Sequence, residues 1–139
     1  MVFNVVKILE IEPGAELDHT VYDQWVRIAY KDHYLSIFDM DMLASEEAVG
    51  DFHEVKIGVM FTEIEAGVQG PPMAKGNRFR GKVVEVTEKD GVFEHIVDLD
   101  GLRVTLSDHE EYNVGIMLGF KARLDLLDFR GATGGWKVD

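Results

Sequence analysis

Two Asp-Gly pairs, Asp90-Gly91 and Asp100-Gly101, constrain this chain more than any other feature. Asp-Gly readily takes the left-handed backbone that a two-residue hairpin turn requires at both central positions. The residues around the pairs carry the strand signature. Leu102, Val104 and Leu106 alternate with Arg103, Thr105 and Ser107, a period of two that puts one face on a core and the other in water. The stretch "KVVEVTEKDGVFEHIVDLDGLRVTLS", from Lys82 to Ser107, is therefore expected to form a three-stranded meander.

The flanking sequence reads in the same way. Val2–Ile11 is apolar on both faces, as a central strand would be, and Pro13-Gly14 ends it. "QWVRIAY" and "YLSIFDM" flank Lys31-Asp32-His33 and predict a hairpin. "DMLASEEAVG" predicts a short helix or helical turn closed by Gly50. "HEVKIGVMFTEI" alternates again, with Val55, Ile57, Val59 and Phe61 expected inward. After the meander, Ser107-Asp108-His109-Glu110 has the form of a capping box. It predicts a short helix to about Ile116 or Met117, with Gly119 closing it. Phe120, Ala122, Leu124 and Leu126 then alternate with Lys121, Arg123 and Asp125, a strand with one apolar face. "GATGG", Gly131–Gly135, reads as a flexible turn before a last short strand, "WKVD".

Each half thus reads strand, strand, strand, short helix, strand, and "VVKILEIEPG" echoes "VVEVTEKDG". A length of 139 residues suits one compact domain. The expected fold is all-β with one or two short helices. A sheet must bury a face and dispose of its edges, so a small closed or partly open β-barrel is expected, either OB-like or a pseudo-twofold duplicated barrel. In the second case residues 1–66 and 79–139 are the copies, joined by the Gly/Pro-rich connector 67–78.

Composition narrows function more by exclusion. The chain has no cysteine, so disulfides, thiolate catalysis and Cys-based metal sites are out, which fits a reducing cytoplasm. The N-terminus has no basic lead-in and reaches acidic residues at once, so it reads as a strand and not a signal peptide. No run approaches the roughly 18 apolar residues of a bilayer span. With 26 acidic and 14 basic residues the net charge is −12, a field that repels nucleic acid and anionic lipid.

One segment departs from that acidity. Gly67–Val84 contains no Asp or Glu, yet holds Lys75, Arg78, Arg80 and Lys82. On a strand Arg78 and Arg80 would share a face, with Phe79 on the other, and two guanidinium groups so placed make an anion clamp. Lys75, Arg78, Phe79, Arg80 and Lys82 are the candidate ligand-binding residues. The segment reads first as a connector whose cations pair with acidic neighbours; as a site, an acidic protein surface, or this chain's own acidic face, is the partner that fits best. Interleaved bases and aromatics also suit single-stranded nucleic acid, but four cations in so acidic a chain argue against it.

Other constellations point to structure. Each of the five histidines has an acidic neighbour, as in Asp32-His33, His53-Glu54 and Glu94-His95. Adjacent strand residues face opposite ways and make no chelate, so the histidines read as solvated or hairpin-tip residues. Asp39 and Asp41 precede a helical turn, and Asp98 and Asp100 flank a hairpin turn, where Asp serves local structure. Trp25, Tyr30, Tyr34 and Phe38 gather around the first hairpin, where core and cross-strand pairing is the commoner use. Met40 and Met42 read as core fill. No catalytic residue, metal site or cofactor is assigned. The leading expectation is a non-enzymatic binding or assembly module acting through protein surfaces. The alternatives are a small-ligand or metal-binding barrel open to enzymatic activity, with its mouth near His33 and Asp39, and an OB-type single-strand binder.

Overall fold

The computed structural model describes residues 3–132. The fold is all-β. Asp90, Gly91, Asp100 and Gly101 all take positive φ, at 53°, 78°, 58° and 103°. They turn β8 (Arg78–Lys89) into β9 (Val92–Leu99) and β9 into β10 (Leu102–Asp108), with Lys89 opposite Val92 and Leu99 opposite Leu102. The expected meander is present. The first half runs β1 (Asn4–Pro13), a small ribbon of β2 (Glu16–Leu17) and β3 (Thr20–Val21), then β4 (Gln24–Tyr30) and β5 (His33–Asp39). A single 3₁₀ turn at Glu46–Ala48 precedes the long β6 (Phe52–Ala66). The remaining strands are β7 (Met73–Lys75) and the long β11 (Met117–Ala132).

β6 and β11 organise the sheet. They lie antiparallel over most of their length, from Leu118 opposite Ala66 to Ala132 opposite His53. On one side β1 pairs with β6, β4 with β1, β5 with β4, and β5 meets β11 in parallel at Phe38 and Asp125. On the other side β8 pairs with β11, β9 with β8, β10 with β9, and β10 meets β6 in parallel at Val104 and Ile57. The strands close as two rings that share the β6–β11 pair. The second ring repeats the pairing senses of the first, strand for strand.

Period-two alternation fills the interior. Val6, Ile8, Val26, Ile28, Leu35 and Ile37 bury their side chains in the first half, and Val83, Val97, Leu99, Leu102, Val104 and Leu106 in the second. Leu118, Phe120, Leu124 and Leu126 of β11 join the same core. β-Branched and aliphatic residues suit a pleated, one-sided surface of this kind. Besides the β6–β11 pairing, side chains tie the halves together, three of these ties lying between β1, β4, β5 and the β9–β10 hairpin. Asn4 donates from Nδ2 to the Arg103 carbonyl and accepts the Arg103 amide, both at 2.7 Å. Tyr30 donates its hydroxyl to the Leu99 carbonyl at 2.8 Å. The third is an ion cluster at the two hairpin tips, described below.

Several local expectations are corrected. β1 is paired along both edges but covered on one face only, so Val5 and Lys7 are exposed. The capping-box stretch does not start a helix. The Asp108 carboxylate accepts the Glu110 amide at 3.2 Å, and the Tyr112 amide donates to the His95 ring at 2.9 Å. The Gly115 amide goes to the Val83 carbonyl at 2.8 Å. Side-chain and sheet partners have taken the amides that a helix would use. Val59 does face inward as expected, half-buried and packed against the core. The Phe61 side chain and the "WKVD" strand lie outside the described residues. The connector 67–78 is not wholly irregular, since it contains β7.

Candidate functional site

The basic segment folds as a tight hairpin. β7 turns through Gly76 and Asn77 into β8, with Lys75 opposite Arg78, Ala74 opposite Phe79 and Met73 opposite Arg80. Gly76 has φ of +62°, the left-handed backbone that glycine adopts without strain. Alternation along β8 then separates the candidates. Phe79 points inward, is 3% exposed, and packs on Phe120 with ring centroids 5.4 Å apart. It is a core residue that also borders both grooves described below. Arg80 donates from Nε to the Pro71 carbonyl at 2.6 Å, which pins the loop before β7. Lys75, Arg78 and Lys82 are exposed.

The second neighbour of β8 adds a cation that sequence reasoning did not assign to the site. β11 pairs with β8 so that Lys121 stands opposite Arg78, and β6 places Glu63 opposite Lys121. Opposite residues of an antiparallel pair share a face, with strands about 4.8 Å apart. One row across the outer face therefore reads Lys75, Arg78, Lys121, Glu63. The alternation of "FKARLDLLDF" does put Lys121 on the polar face, but which strand lies beside it is a long-range fact.

Arg78 stands out among the described arginines. Arg27 meets Glu10, Arg103 meets Asp98, Arg130 meets Glu54, Arg80 holds Pro71, and Arg123 makes a two-point contact with Asp125 at 2.6 and 2.8 Å. Arg78 alone has no ion pair or hydrogen bond from its guanidinium among the described residues. Like charges directly opposite on a sheet are destabilising, so the Arg78–Lys121 pair costs the free protein stability. A groove of about 520 Å³ runs along this strip, bordered by Val68, Met73, Arg78, Arg80 and Lys121, with Glu63 and Glu65 on its other rim.

The first hairpin carries a different surface. Trp25 and Phe38 pair across β4 and β5 with centroids 5.1 Å apart, as cross-strand aromatics do. The Arg123 guanidinium lies over Phe38 at 4.2 Å. Tyr30 is buried, and burial, with Asp100 and Asp98 adding to it, raises its hydroxyl above the usual tyrosine range. Tyr34 is 67% exposed. A cleft of about 470 Å³ lies between this face and the β7–β8 turn, lined among others by Trp25, Tyr34, Ser36, Asn77 and Arg123.

The histidine expectation is corrected for two residues. His95 is fully buried, its Nδ1 3.0 Å from the Leu106 carbonyl and its Nε2 accepting the Tyr112 amide. It holds the loop after β10 in place of the missing helix. His53 is also buried, with Nδ1 3.0 Å from the Arg130 carbonyl and its ring stacked on Phe129. His33 does sit at a hairpin tip. Its Nε2 lies 2.8 Å from Asp100, and Lys31 lies 3.6 Å from the same carboxylate. The His33 hydrogen bond, then Lys31, holds the Asp100 carboxyl below its ordinary range.

Asp39 is fully buried and structural. It accepts the Leu43 amide at 2.8 Å, the Ala44 amide at 2.9 Å and the Gln24 side chain at 2.8 Å. His33 and Asp39 occupy opposite ends of β5, so they do not converge. No three His, Asp or Glu side chains among the described residues are placed to hold a metal ion. Met40 and Met42 do not fill the core. Both are exposed, at 55% and 41%. No helix among the described residues is long and apolar enough to cross a membrane. Comparison with protein-family models, curated proteins and solved structures finds no match to this chain.

Proposed function

We propose that this protein is a cytoplasmic, non-enzymatic assembly module whose β7–β8–β11 strip docks an acidic protein surface. One observation carries the reading: Arg78, unpartnered among the described residues, stands between Lys75 and Lys121 in a chain of net charge −12. So many carboxylates could have neutralised that row within the fold. The row instead keeps its charge facing outward, where an acidic partner relieves the repulsion and gains charge-assisted hydrogen bonds. The overall negative field weakens nucleic acid as an alternative, and it makes the strip selective, since only a partner reaching the strip itself meets positive charge.

The architecture supports a scaffold role. The order β1-β4-β5-β11-β6 in one ring and β8-β9-β10-β6-β11 in the other supports reading each ring as an OB-type Greek-key barrel. We read each ring as an OB-like barrel, and residues 1–66 and 79–139 as copies of one unit. In this reading each long strand serves as fourth strand of its own ring and fifth strand of the other.

The test is fluorescence anisotropy with a short acidic peptide, a basic peptide of equal length and a short single-stranded DNA, each at low and physiological salt. The acidic peptide should bind at low salt, and Arg78→Glu with Lys121→Glu should abolish its binding. No binding of the acidic peptide, or equal binding by the variant, removes the strip from the function. Preferential binding of the DNA gives it to the OB-type alternative. The 470 Å³ cleft at Trp25 and Tyr34 favours a second reading as a small-ligand binder. A thermal-shift panel of neutral metabolites tests that, since a ligand at 100 times its dissociation constant adds about 2.7 kcal/mol.

A further inference from the structure

The far end of the first ring is the chemical complement of the basic strip. From Asp32 to Val55 the chain has no Lys or Arg. The loop after β5 exposes Asp41, Glu46 and Glu47 together with Met40, Met42 and Leu43. Its shape is fixed from beneath, because the buried Asp39 carboxylate holds the Leu43 and Ala44 amides and Ala44 and Ala48 are buried. A fixed loop loses little conformational entropy on docking. An exposed cluster of apolar side chains ringed by carboxylates is what a groove rimmed by Arg78, Arg80 and Lys121, with Val68 and Met73 between, would accept.

The two surfaces lie at opposite ends of β11. The groove borders Gly119 to Lys121. β5 runs parallel to β11 with Phe38 opposite Asp125, so the loop beyond Asp39 leaves the sheet toward the C-terminal part of that strand. Within one molecule they are separated along the strand. Between molecules they can join head to tail.

We propose that the partner of the basic strip is a second copy of this chain, whose loop Met40–Val49 seats in the groove beside Arg78 and Lys121. This rests on the docking role assigned above and names its occupant. The contact joins two different surfaces, so it repeats from copy to copy and gives a ring if the rotation closes and a filament if it does not. Glu63 and Glu65, on the other rim, push the incoming carboxylates toward the β8 and β11 cations and so set the direction in which the loop lies.

The experiment is sedimentation velocity on the full chain over a concentration and salt series. It compares wild type with a strip variant (Arg78→Glu, Lys121→Glu) and a loop variant (Asp41→Lys, Glu47→Lys). All four positions are exposed, and circular dichroism checks that both variants fold. Wild type should gain mass with concentration at low salt. Each variant should associate at least about tenfold more weakly, since like charges then face each other. An equimolar mixture of the two variants should regain mass, because the reversed strip of one meets the reversed loop of the other. Wild type that stays monomeric throughout, or a mixture that does not recover, overturns the second-copy assignment. If the acidic peptide still binds Arg78 and Lys121 while wild type never self-associates, the strip reading survives and this inference alone falls.

Discussion

Replacing Asp39 by Asn changes one atom in a fully buried network of donors, and the structure sets the size of the loss. The carboxylate receives three hydrogen bonds, from the Leu43 amide, the Ala44 amide and the Gln24 side chain. The two backbone amides cannot become acceptors, and flipping the Gln24 amide would forfeit the bond that its nitrogen also donates to the Ala44 carbonyl at 2.7 Å. An asparagine at this position must aim its NH₂ group at one of them. Its least costly orientation gives up the Leu43 bond and leaves the other two as neutral hydrogen bonds. A hydrogen bond to a charged group contributes about 1.5–3 kcal/mol, and an unsatisfied buried donor costs about 1–3 kcal/mol. These overlap, so Asp39→Asn should lose about 2–4 kcal/mol. For a chain of this length that lowers Tm by roughly 10 °C. Asp41→Asn, two residues away and exposed, should stay within about 0.5 kcal/mol of wild type. Calorimetry and urea unfolding read both, and amide exchange at Leu43 and Ala44 should speed up in the Asp39→Asn variant alone. A loss below about 1 kcal/mol, or one matched by Asp41→Asn, refutes the claim that this carboxylate builds the loop.

Two further outcomes follow from the groups that tie loops to the sheet. Asp100 has its carboxyl held low by His33 and Lys31, so the ionised form stabilises the folded state. That contribution is present above the ordinary value of 3.8 and is lost as the pH falls through the depressed folded value. The gap in urea midpoint between wild type and Asp100→Asn should therefore be widest near neutrality and shrink in acid, and a gap that does not change with pH contradicts the linkage. His95→Leu removes the partner of the Tyr112 amide and leaves the Leu106 carbonyl without its ring donor. It should cost about 2–4 kcal/mol and speed exchange at Tyr112, whereas unchanged exchange there means that the ring does not organise the loop.

What could be read from the chain divides along the range of the interactions. The Asp-Gly turns, the meander, the β4–β5 hairpin and the apolar face of β11 depend on residues within a few positions of each other, and local rules reach them. The capping box at Ser107 obeyed the same rules and failed, because the competing partners, His95 and Val83, are remote in sequence. Gly81 shows the same limit. An added Cβ there would lie 2.6 Å from the Asp98 carbonyl oxygen, yet nothing near Gly81 in the chain announces the close approach. The site divides in the same way. Alternation placed Arg78 and Phe79 on opposite faces from three letters of sequence. Whether Arg78 had a partner was illegible, since the question concerns every carboxylate the fold might bring to it. The fold brought Lys121 instead. Three adjacent cations on three strands, met by Glu63 only beyond Lys121, place like charges side by side and so cost the isolated molecule some stability. On the docking proposed above, the acidic loop at the other end of a second copy would relieve that cost, since it has the charge and the exposed methionines to meet the groove.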